Sequence, residues 1–164
     1  DFTMSKTLYV LRHAESRHNA YKIEETDTDL SEKGVEQASS INCDKEFDTV
    51  ICSPLRRCRK TLDLSGIEYN NLIIEPLARE YLLFPSDTLP GETFTSQEPQ
   101  DEFVSRIKQL RLRLQEVLKT TDSLLLVAHF YTIKYLTSLD SNGELTNKEG
   151  LALFNAKMGE FELQ

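Results

Sequence analysis

At 164 residues the chain is long enough to bury one good core and short for two, so a single domain is expected. A formal charge of −8 and a pI near 4.9 argue against a nucleic-acid backbone or an anionic membrane as main partner, since both call for a basic face. No apolar run approaches the ~20 residues of a membrane-spanning helix, and no secretory pattern precedes the first apolar run. Cys43, Cys52 and Cys58 cannot all pair and show no CxxC spacing, which suits small buried thiols in a reducing, cytoplasmic setting. The domain is placed at 4–164, with Asp1-Phe2-Thr3 ahead of Met4 set aside as added residues.

In chain order, Leu8-Tyr9-Val10-Leu11 reads as a buried strand that stops at Arg12-His13. In open α/β sheets the carboxyl ends of the strands are where ligands bind. An imidazole there can act as nucleophile, proton carrier or ligand, and a guanidinium beside it favours a phosphate or carboxylate. Taken alone, such a pair is more often an ordinary surface pair, so the rest of the chain has to decide.

Tyr21 to Thr28 reads as a polar loop, and Ser31 then caps a helix whose Val35, Ala38 and Ile41 recur at helical spacing. Phe47 to Ser53 is a second strand closed by Pro54, followed by a helix to about Ser65 that Gly66 ends. Arg56, Arg59 and Lys60 on that helix are read as a solvated face. Asn71 to Pro76 is a short strand, and the irregular stretch from Tyr81 to Pro99 is long enough to be a lid or binding loop. Phe103, Val104, Ile107, Leu110, Leu114 and Leu118 mark the longest helix, over 100–120. Leu124 to Ala128 is a buried strand ending at His129, with a helix from Phe130 to Leu139 after it. Leu151–Asn155 and Glu160–Leu163 read as a closing hairpin.

Strands alternating with helices predict an α/β single-domain three-layer sandwich: a mostly parallel central sheet, helices on both faces and a C-terminal antiparallel hairpin. Arg12-His13, Arg57 and His129 each follow an apolar strand run, so one sheet edge can gather residues more than a hundred positions apart.

The string RHAES with Asn19 after it resembles the signature of the histidine phosphatase superfamily, the phosphoglycerate mutase-like proteins. The resemblance continues in order through SPLRRCRKT at Ser53–Thr61, Glu80 in LARE, GET at Gly91–Thr93 and VAH at Val127–His129, and so covers nearly the whole chain. Asp29, Leu30, Gly34, Gln37 and Ala38 match a further pattern of that family, read here as packing.

The resemblance implies a phosphatase of the compact branch that needs no cofactor or metal. His13 would be the nucleophile and form a phosphohistidine, Arg12 and Arg57 would clamp the phosphate, and Asn19 would add a contact. His129 would stabilise the transferring phosphoryl group, and Glu80 would protonate the leaving oxygen and then activate water. The substrate implied is a phosphorylated small molecule or a phosphoprotein. His18 near His13 invites a metal reading, but no carboxylate or Cys cluster completes a shell, and it is given a neighbouring role. Ser16 is expected to help shape the loop, and Thr132 to cap a helix or place a hydroxyl near the phosphate.

Two positions depart from the family's pattern, Ala14 and Phe130 in place of glycines, and a phenyl ring at 130 is expected to narrow the pocket. Glu80 is followed by Tyr81-Leu82-Leu83-Phe84-Pro85 with no cation to hold a glycerate carboxylate, which favours hydrolysis over mutase-type phosphotransfer. The alternative from another class is a regulatory protein of the same fold that binds a phosphate ester with little turnover.

Overall fold

The computed structural model describes residues 6–164 and shows an α/β domain. The assignment of Met4 as the start of the domain lies outside the described residues. Five strands form one sheet: β1 Lys6–Arg12, β2 Phe47–Cys52, β3 Tyr69–Ile74, β4 Leu124–Ala128 and β5 Met158–Leu163, in the order β3-β2-β4-β1-β5. β3, β2, β4 and β1 run parallel, and β5 pairs antiparallel with β1.

β4, five apolar or small residues without a polar interruption, lies between β1 and β2 and is buried throughout. Such a run suits a strand covered on both faces. Side chains alternate across it: Leu124 and Leu126 join Leu8 and Val10 beneath helix α4 (Gln100–Leu118) and α5 (Phe130–Leu136). Leu125 and Val127 join Leu11, Val50 and Cys52 beneath helix α3 (Arg56–Ser65), through Cys58 and Leu62. The expected three layers are therefore observed, with the strand period of two separating the two cores. Gly66 ends α3 at φ 71°, the left-handed conformation that favours glycine.

Helix α2 (Glu32–Ser39) starts at Ser31, whose hydroxyl accepts from the Gly34 N–H, as the sequence suggested. A one-turn helix α1 (Arg17–Tyr21) was not expected; Ser16 caps it and the Asn19 side chain answers in a capping box. No helix among the described residues is long and apolar enough to cross a membrane.

The closing hairpin is corrected. β5 is antiparallel as expected, but its partner is β1, with Lys6 opposite Leu163 and Leu11 opposite Met158, and Leu151–Asn155 forms no strand. The reason lies in what competes for the backbone of that segment. The Thr137 hydroxyl accepts from the Leu151 N–H at 2.7 Å, and the Arg12 guanidinium donates to the Leu153 carbonyl at 2.9 Å. The outer edge of β1 offers a longer ladder, and Ala156, at φ 59°, makes the turn into it.

Candidate active site

The loop after β1 is built by its neighbours. The Ala14 N–H donates to the Thr61 hydroxyl at 2.9 Å, the Glu15 N–H to Gln37 Oε1 at 2.9 Å, and the Ser31 N–H to the Glu15 carbonyl at 3.0 Å. Gly34 of α2 packs so closely here that a Cβ would stand 2.0 Å from the Glu15 carbonyl oxygen. The run from Asp29 to Ala38 therefore packs, as expected, and what it packs is the loop that carries His13. Gly34→Ala is expected to lower stability by about 1–3 kcal/mol, because the atom it meets is backbone and cannot swing aside. A denaturant midpoint unchanged in that variant would contradict the contact.

His13 is 3% exposed. Its Nδ1 lies 2.6 Å from the Ala14 carbonyl oxygen, which can only accept, so Nδ1 carries the hydrogen and Nε2 keeps its lone pair. Burial, reinforced by the charges of Arg57 and Arg12, holds its pKa well below the usual imidazole value. The His129 ring centroid is 5.2 Å away. His129 is 0% exposed, with Nε2 2.9 Å from the Ser53 hydroxyl and 3.4 Å from Cys58 Sγ, and burial also drives its pKa well down.

Arg57 enters from the first turn of α3 and is buried. Its guanidinium donates to the Ser86 carbonyl at 3.0 Å and to Asp87 Oδ1 at 2.8 Å. Arg12 holds the Leu153 carbonyl, lies 5.2 Å from the centre of the Phe130 ring, and keeps a buried Nε–H with no acceptor among the described residues. Glu80 is fixed by donors from the start of α5: the Tyr131 and Thr132 N–H groups, each at 3.1 Å, beside the Tyr81 N–H at 2.9 Å. Burial raises its pKa above the ordinary carboxyl value, although those N–H groups pull the other way. Thr132 caps no helix; its hydroxyl donates to the Arg79 carbonyl at 2.8 Å and to Glu80. Arg106 of α4 reaches the Leu77, Arg79 and Glu80 carbonyls and the Glu98 carboxylate, and so sets the chain that presents Glu80.

Arg12, His13, Asn19, Arg57 and Glu80 line one cavity of about 410 Å³ together with Tyr81, Leu83 and Phe84 of the long irregular segment. That segment folds down as expected, pinned by Asp87, whose other oxygen accepts from the Leu83 and Phe84 N–H groups. His129 is brought beside His13 but is not on the cavity wall, and its contact with Ser53 turns one ring nitrogen away. Asn19 is on the wall, with its Oδ1 engaged by the Ser16 N–H at 3.1 Å. His18 lies against the Phe84 ring, 4.6 Å between centroids. No cluster of three metal-ligating side chains occurs among the described residues.

Lys60 binds the Asp29 carboxylate, Arg59 the Pro54 carbonyl, and Arg56 approaches Asp29, so these three stay off the cavity. Asp87, Ser86 and Arg106 were missed in the sequence. The one available signal was Arg106, a charge between Phe103 and Ile107 on the apolar side of its helix.

A buried imidazole, two guanidinium groups and a buried carboxyl group thus line one cavity at the carboxyl edge of a mainly parallel sheet. The resemblance drawn from the motifs is borne out: the family model described as histidine phosphatase superfamily (branch 1) matches residues 8–82. No curated protein matches the chain. Among solved structures it is similar to the product of the open reading frame Rv3214 of Mycobacterium tuberculosis, with 20% identity, a TM-score of 0.68 and coverage of 94% of this chain and 89% of that one. It is also similar to the alpha-ribazole phosphatase of Shigella flexneri, with 22% identity, a TM-score of 0.63 and coverage of 80% and 77%. For a phosphoglycerate mutase of Thermus thermophilus the values are 21% identity, a TM-score of 0.64 and coverage of 94% and 92%. At these identities the likeness is one of fold.

Proposed function

We propose that the protein is a phosphatase that hydrolyses a phosphate monoester through a phosphohistidine on His13, with no metal in the reaction. The observation that carries this reading is the 2.6 Å approach of His13 Nδ1 to the Ala14 carbonyl oxygen, which assigns the hydrogen to Nδ1 and leaves Nε2 with its lone pair. Burial between two cations keeps the ring neutral, and so nucleophilic, below the pH at which an exposed histidine protonates. Arg12 and Arg57 supply positive charge for the equatorial oxygens of the transferring group. Asn19 adds a contact from the wall, and His129, 5.2 Å from His13 between ring centroids, supports that ring from behind the cavity wall.

Glu80 gives its proton to the leaving oxygen as the N–P bond forms and the P–O bond breaks. The resulting carboxylate then takes a proton from water, whose oxygen attacks phosphorus and releases His13 and inorganic phosphate. Phosphate release from p-nitrophenyl phosphate tests the reading, and no release at mildly acidic to neutral pH would count against it.

The two pKa displacements fix the pH dependence. The enzyme needs His13 neutral and Glu80 protonated. The depressed His13 value extends activity to the acid side of the usual imidazole range, and the raised Glu80 value extends the protonated acid upward from the usual carboxyl range. Activity should therefore be favoured on the acid side of neutrality and fall as Glu80 ionises. In kcat/KM, which reports transfer to His13 and not the later hydrolysis, Glu80→Gln is expected to cost about 10²–10⁴-fold on an alkyl phosphate and less on p-nitrophenyl phosphate, whose leaving group needs no proton. Equal losses on both esters would remove Glu80 from the role of acid.

A second reading draws on Arg57, which already holds a carboxylate and a carbonyl. On that reading the protein binds a phosphate ester and turns it over slowly. Tight vanadate or phosphate binding with negligible ester hydrolysis would favour it.

A further inference from the structure

Beside its charged groups the cavity carries a set of apolar and aromatic side chains. Tyr81, Leu83, Phe84, Phe130 and Tyr131 line the same cavity as the two arginines. Phe84 and Tyr131 remain 41% and 37% exposed, an apolar surface that the fold does not cover. The rings are held in set orientations: Phe130 meets Tyr131 edge-on at 86° with 5.1 Å between centroids, and Tyr131 meets Tyr81 at 81° and 6.0 Å. Phe84 is braced by His18.

Phe130 links the two sets of groups. One ring lies over the Arg12 guanidinium and also lines the cavity wall, so the first atoms beyond a phosphate held by Arg12 meet it. Rings held at fixed angles favour another flat ring, which can stack or present an edge, over a flexible polar chain. Beyond Arg12, Arg57, Glu80 and Asp87, the charges on the cavity lining are Lys22 and Glu24, one of each sign, while Lys134 sits over the Phe130 ring without lining the cavity. A second acidic group on the substrate would find no net positive field there. The volume, about 410 Å³, falls within the range of small-molecule sites.

We propose that this site takes small phosphate monoesters whose leaving group carries a flat aromatic ring, with Phe130 and Phe84 setting that preference. The inference rests on the phosphatase reading for turnover, but binding tests it separately. Benzyl and ethyl phosphate both release alkyl alcohols, so their kcat/KM ratio reports mainly on ring recognition. Benzylphosphonate and ethylphosphonate, which have no ester bond to break, report it as a ratio of inhibition or direct binding constants.

With the full chain, the benzyl compound is expected to be favoured about tenfold in both measurements. Phe130→Ala and Phe84→Ala should each bring the ratio below about threefold, and Phe130→Tyr should keep it. A phosphonate ratio near one in the unaltered protein would overturn the proposal. If no ester were hydrolysed while benzylphosphonate still bound about tenfold more tightly, ring recognition would stand and the phosphatase reading alone would fall. A phosphotyrosyl peptide cleaved about tenfold faster than the free ring esters would overturn the small-molecule assignment.

Discussion

On the proposed reading, His13→Ala is expected to abolish phosphate release, by about 10⁴-fold or more, and to leave the fold standing. Both halves of that expectation follow from the contacts. The side chain makes one hydrogen bond, to the carbonyl of the next residue, and the loop around it is held by Thr61, Gln37, Ser31 and Gly34, none of which touches the imidazole through a hydrogen bond. What disappears is the Nε2 lone pair. Neither nitrogen of His129 is a ready substitute, since that ring is covered and bonded to Ser53. Two measurements check the claim together. Ester hydrolysis should vanish, and the acid-labile phosphoenzyme trapped by rapid quench in the unaltered protein should be absent, while the thermal midpoint moves little. More than about one per cent residual turnover would mean that the nucleophile is another group.

The convergence of Arg12, His13, Arg57 and His129 was legible because parallel strands present their carboxyl ends together. Each of these residues stands at such an end or just after it, so finding the strands placed the residues. β1, β2 and β4 announce themselves as short apolar runs, and Gly66 and Ser31 as the stop and start of helices. The C-terminal pairing was not legible. Two short strand-like runs around a turn look the same in sequence whether they pair with each other or one of them pairs with a distant edge, and here the hydrogen bonds of Thr137 and Arg12 to the first run decided it. Asp87 and Ser86 were also hidden, because a Pro-Ser-Asp turn reads like any polar loop, and its partner Arg57 lies about thirty residues earlier. His129 shows the limit from the other side: the strand predicted where the residue sits, but the direction of its ring depends on Ser53 and Cys58.

Arg57→Ala is expected to damage stability and catalysis by separable routes. The ion pair with Asp87 is 2.8 Å long, with the two side chains 5% and 7% exposed, so removing the cation strands a buried carboxylate. Breaking a buried pair on one side costs about 3–5 kcal/mol. The Leu83 and Phe84 N–H groups still reach Asp87 and should hold the loss toward the lower figure. Catalysis should fall about 10²–10³-fold as well, since one of two cations on the transferring group is gone. The double variant Arg57→Leu, Asp87→Leu separates the routes. With no charge left to strand, its denaturation midpoint should return most of the way to that of the unaltered protein. Its turnover should stay as low as that of Arg57→Ala. Asp87→Asn keeps the turn and loosens the hold on Arg57, so it also tells whether the carboxylate orients the guanidinium or competes with substrate. Slower turnover with weaker phosphate binding indicates orientation, and tighter phosphate binding indicates competition. Recovery of turnover in the double leucine variant would show that Arg57 serves the fold alone, and the phosphate clamp would then have to be assigned to Arg12 without it.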